Sequence, residues 1–142
     1  MARYDDAKFG VVQRHWFGLT KKAGGQGAAD GFELSADATH VTRFYPKGPM
    51  YITKFGVMHL ATQGGSEVTV NLKRNSSTLA TVIASTDSAP WAIASKAVNK
   101  NVDAGSYLVI TSEGTVATGS VACFIEWHPK FHVSKWNAEN DG

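Results

Sequence analysis

From Phe32 to about His128, apolar and polar residues alternate in short runs separated by clusters of turn-forming residues. The runs "FELSA", "HVTRFY", "MYITKFGVMHLAT", "EVTVNLKR", "TLATVIAS", "WAIASKAV", "SYLVITS" and "TGSVACFIEWH" read as β-strands. "YPKGP", "TQGG", "RNSS", "STDSAP", "NKNVDAG" and "SEGT" read as the turns between them, a spacing that predicts an all-β sandwich or barrel. Side chains alternate across a strand, so in "EVTVNLKR" Val68, Val70 and Leu72 share one face while Thr69, Asn71 and Lys73 share the other. In "SYLVITS" both faces are largely apolar, which predicts a central strand or a face covered by a neighbour. No amphipathic helix and no internal repeat stands out.

Residues 1–31 break this pattern. Phe9, Val11, Val12, Trp16, Phe17 and Leu19 follow no strand or helix period, and "AGGQGAADG" reads as a glycine-rich joint. The expected organisation is an N-terminal arm with its joint over 1–31, an antiparallel β-sandwich over 32–130, and a C-terminal tail over 131–142. The arm has two readings, a cover over the sandwich's own core or an anchor on another chain. Trp16 and Arg14 have the composition of an interface hot spot. With Phe17, Leu19, Lys21, Lys22 and, in the tail, Trp136, they form the expected partner contact.

The 142 residues fit one domain, and 43% apolar with 18% charged residues allows a sizeable core. Burial of each large apolar side chain stabilises by roughly 1.5–3 kcal/mol. A net charge of +2 is too mild to predict nucleic acid as the main partner. The start of the sequence has acids where a signal peptide carries cations, and no run is long enough for a membrane span, so a soluble protein outside the usual export route is expected. Cys123 is the only cysteine and rules out an internal disulfide.

Candidate chemistry concentrates in "GSVACFIEWHPKFH". Glu126 and His128 fall on one strand face and could reach one ion, with His132 beyond Pro129. The competing reading, which we favour, is a strand leaving the core whose outer face turns polar before the proline. A metal site needs three or four converging ligands, and His15, His40 and His59 are isolated in sequence. Cys123 lies on an apolar strand face with no activating partner in sequence. The glycines of "GGQGAADG" lack the lysine and hydroxyl residue of a phosphate loop. The expectation is no catalytic residue, no cofactor, no metal and no small-molecule substrate, hence not an enzyme.

The run "MYITKFGVMHLATQGGSEVTVNLKRNSSTLATV", followed by "NKNVDAGSYLVITSEGTVATGSVACFIEWHP", resembles the small β-sandwich virion proteins of tailed bacteriophages, in particular head decoration, or cement, proteins. The resemblance covers residues 32–130. It implies a jelly-roll-like sandwich, often trimeric, made in the host cytoplasm and seated on the capsid exterior, where it braces the major capsid protein lattice. It transfers no catalytic residue. Two other classes stay open: a tail or fibre sandwich that binds carbohydrate or another virion protein, with Tyr51, Trp91 or Trp136 as stacking platforms, and a cupin-like metal enzyme. Because Trp91 follows Pro90 at the start of an apolar run, it is expected to be buried.

Overall fold

A computed structural model describes residues 12–19, 31–34, 37–86, 89–114 and 117–130. These form β1 (Gln13–Phe17), β2 (Phe32–Glu33), β3 (Ala38–Phe44), β4 (Met50–His59), β5 (Gly64–Gly65), β6 (Val68–Arg74), β7 (Ser77–Ala84), β8 (Ile93–Val102), β9 (Leu108–Gly114), β10 (Ala117–Thr118) and β11 (Ser120–Pro129). The described residues contain no helix, and therefore none long and apolar enough to cross a membrane. All pairings are antiparallel.

The strands make two packed sheets. The first has the order β1-β11-β4-β8, with β2 pairing the start of β11; the second has the order β3-β9-β6-β7. Along the chain the long strands pass between the sheets in the order first, second, first, second, second, first, second, first. This is a jelly-roll winding. Among the described residues, the short β5 and β10 pair with each other alone.

The core lies between the sheets and follows the strand alternation. Val68, Val70 and Leu72 of β6, with Leu108 and Ile110 of the neighbouring β9, share one core with Ile52, Phe55 and Val57 of β4 and Val121, Cys123 and Ile125 of β11 from the other sheet. β9 lies inside its sheet between β3 and β6; it buries Leu108 and Ile110 on the inner face, while Val109, Thr111 and Glu113 lie on the outer one. The β6–β7 hairpin closes with Arg74 opposite Ser77, and Asn75 takes a φ of 55° that a two-residue hairpin turn needs. The Asn75 side chain then accepts the Tyr107 N–H at 3.1 Å, tying this turn to the entry of β9.

Two boundaries differ from the sequence reading. Residues 13–17 are not a free arm: they form β1, an edge strand of the first sheet, so the sandwich begins before Phe32. The strand was hidden because its side chains belong to two environments, His15 and Phe17 inward, Arg14 and Trp16 outward. Residues 99–102, read as a turn, continue β8. The register slips between Ile52 and Lys54, and Asn99 absorbs the bulge at φ 52°, a conformation asparagine tolerates well. The outer face of β11 is buried at Ala122 and Phe124 and turns polar at Glu126 and His128, ahead of Pro129.

Candidate functional site

The outer face of the first sheet is laid out in rows across its strands. One row runs Trp16–Phe124–Gly56–Ser95, the next Arg14–Glu126–Lys54–Ala97, and a third Ala122–Met58–Ile93. Further along, His128 opposes Tyr51 and the two rings stack at 5.2 Å. Phe124 lies flat over Gly56, where a Cβ would overlap its ring. Trp16 covers it from one side at 4.9 Å, and the Arg14 guanidinium sits 4.3 Å above its centre. Glycine is required at position 56 by this close approach.

Arg14 also donates to Glu126 Oε1 at 2.8 Å, while Lys54 stands 3.8 Å from the other carboxylate oxygen. The hydrogen bond from Arg14, followed by the charge of Lys54, holds the Glu126 carboxyl below its ordinary range despite some desolvation. This carboxylate therefore has cations as its neighbours. His128 turns Nδ1 toward its neighbouring carbonyl, Pro129 O, at 3.1 Å. Among the described residues, no three His, Cys, Asp or Glu side chains converge as metal ligands. Cys123 is fully buried on the inner face, and desolvation pushes its thiol up, away from the reactive thiolate.

At the rim beside Ile93 stands Trp91. It is 69% exposed rather than buried, and its φ is +72°, a conformation that is an outlier for a bulky residue. Its N–H donates to His59 O at 2.6 Å. The His59 imidazole beneath is buried and bonds through Nε2 to Gln63 Oε1 at 2.9 Å. Gln63 is itself buried and donates its amide hydrogens to Ser66 O and Ala84 O at 2.7 and 2.8 Å. Both amide hydrogens are thereby used, so the His59 Nε2 carries the proton in their contact. This network joins β4 of one sheet to β7 of the other and fixes the backbone from which Trp91 projects.

The residues expected to contact a partner divide accordingly. Arg14 and Trp16 lie on the outer face. Phe17 points inward and is part of the core, where it meets His15 and Phe44 edge-on at 4.7 and 5.1 Å. Leu19 is exposed just after β1. Lys21, Lys22 and Trp136 lie outside the described residues. Sequence reasoning missed Tyr51 as a neighbour of His128, and missed Lys54, Met58 and Ile93 altogether. Strand alternation could have put these on the Phe124 face once the β4–β11 register was known. No known protein family matches the chain, and no curated protein matches it in sequence.

Proposed function

We propose that this protein is a non-enzymatic structural component of a virion that binds the outer capsid surface and stabilises the head. It does so through the outer face of its first sheet, with a homotrimer as the working unit. The observation that carries the contact surface is the registered array of Trp16, Arg14, Tyr51, Met58 and Ile93, with Trp91 fixed at its rim. Trp, Tyr, Met and Arg are the residues enriched where proteins bind proteins. A strained, solvent-exposed tryptophan held by a buried network also fits a binding role better than a packing role. The capsid as partner rests on the resemblance of residues 32–130 to decoration proteins. The jelly-roll winding supports it as fold-level analogy, since that architecture serves capsid proteins and lectins alike.

Many identical sites on a lattice make modest single-site affinity sufficient for full occupancy. The test is co-sedimentation of the purified chain with assembled phage particles, alongside Trp91→Ala and Ile93→Ser, both at exposed positions. The wild type is expected to pellet with the shells, and the double variant to lose at least tenfold in occupancy while staying folded. A wild type that never pellets with particles overturns the capsid reading. Equal decoration by the double variant moves the contact off this face.

A further inference from the structure

The second sheet's outer face has a different chemistry. Thr39, Thr111, Asn71 and Thr81 form one row across all four strands, β3, β9, β6 and β7. At the β3–β9 end this row runs into an open groove of about 660 Å³ whose lining includes Asp37, Thr39, Lys73, Thr111 and Glu113. The hydrogen bonds along the row have a direction. Thr81 Oγ1 donates to Asn71 Oδ1 at 2.8 Å, and Asn71 Nδ2 donates to Thr111 Oγ1 at 3.5 Å. A hydroxyl that accepts from Asn71 keeps its own proton to donate, and Thr111 lines the groove. Asp37 accepts the Gly114 N–H through Oδ1 at 2.9 Å, which fixes its carboxylate at the groove wall.

We infer that this groove binds a neutral, hydroxyl-rich ligand, namely a saccharide. The lining combines donors, the Thr39 and Thr111 hydroxyls and the Lys73 ammonium, with acceptors, the Asp37 and Glu113 carboxylates. A sugar hydroxyl both donates and accepts, so mixed partners of this kind satisfy it. The ammonium disfavours a metal cation, and the two carboxylates disfavour a polyanion. Among the described residues no aromatic ring lines the groove, so recognition is by hydrogen bonds and each site is weak. Several copies brought together would supply the avidity. This site is separate from the aromatic face and does not depend on the capsid reading.

The test applies the full chain to an array of neutral, sulfated and sialylated oligosaccharides. The strongest neutral binder is then titrated while backbone amide resonances are followed. Shifts are expected at Thr39, Thr111 and Glu113. Thr111→Val keeps the side chain's shape and removes its hydroxyl, and should weaken binding about tenfold, the cost of a lost hydrogen bond. Lys73→Met removes a second donor and should weaken it as well. Unchanged thermal unfolding of Thr111→Val shows that the loss is local. The inference is overturned if no array saccharide binds, if only sulfated or sialylated ones do, or if Thr111→Val binds as the wild type. It is also overturned if Trp91→Ala abolishes binding while Thr111→Val does not, since the sugar then stacks on the rim tryptophan.

Discussion

The two outer faces of this sandwich are made by the same device, strand alternation, and differ in how far each is dry. On the first sheet, Ala122 and Phe124 are buried although they point away from the core. Trp16 and Arg14 cover the ring, and Gly56 lies beneath it. On the second sheet, the outward positions of β6 and β9 are Thr69, Asn71, Lys73, Val109, Thr111 and Glu113, and the row through Asn71 is held by side-chain hydrogen bonds. One face stores stability outside the core and carries aromatic anchors. The other is polar, with Asn71 buried in its hydrogen-bonded row. An interface needs the first kind of surface, and recognition of hydroxyls needs the second.

Substitution at matched positions should separate the faces most sharply. Phe124→Ala removes a fully buried ring and leaves Trp16 and Arg14 without a floor, and should destabilise by about 3–5 kcal/mol. Gly56→Ala pushes a methyl group into the same ring and should cost about 1–3 kcal/mol. Thr111→Val on the opposite face should cost less than about 1 kcal/mol, since its contact with Asn71 is long and lies near solvent. Urea unfolding of the three variants measures all three values. A Phe124→Ala loss no larger than that of Thr111→Val would mean that the aromatic layer is not part of the folded unit.

Trp91 gives a smaller effect of opposite sign. Its φ of +72° is natural for glycine and strained for tryptophan, and the side chain is mostly in solvent. Trp91→Gly should therefore raise stability by up to about 1 kcal/mol while reducing particle binding. A site that is better folded without its own residue is one kept for contact. A loss of stability in Trp91→Gly would show instead that the indole packs on the domain and that its exposure has no functional meaning.

The sandwich was readable because its inner faces repeat every second residue and its turns carry Gly, Pro, Asn and Ser. The arm was not, because β1 presents Trp16 to one layer and Phe17 to another, and no single-face pattern results. Trp91 was misplaced for a related reason. Pro90 and the apolar run after it describe a strand entry, and only the pairing of residue 91 with His59 reveals the left-handed turn. The Arg14–Glu126–Lys54 row joins residues far apart in sequence and needs the register of three strands. Of the proposed contact face, composition alone gave Arg14 and Trp16.

The faint effect left to measure lies where the two sheets close on each other at the β1–β3 side. His15 packs against Phe17 and Phe44, and His40 stacks on Phe32 at 4.8 Å with Nε2 2.8 Å from Ser112 Oγ. Burial lowers both imidazoles from their ordinary value, so the folded state binds fewer protons than the unfolded chain in this range. The stability they contribute is complete above about pH 6.5, the unfolded value, and is lost as pH falls from there through the lowered folded values. Glu126 is also lowered, but its contribution is lost only at more acid pH, below the ordinary carboxylate value. Between pH 7.5 and 5.5 the histidines therefore act alone of these three groups. The urea midpoint of the wild type should fall across that interval, and a His15→Phe/His40→Gln variant should show a flatter profile. A wild-type midpoint that holds steady or rises on acidification would show that the seam stays closed when its imidazoles are charged, leaving the two faces joined independently of pH.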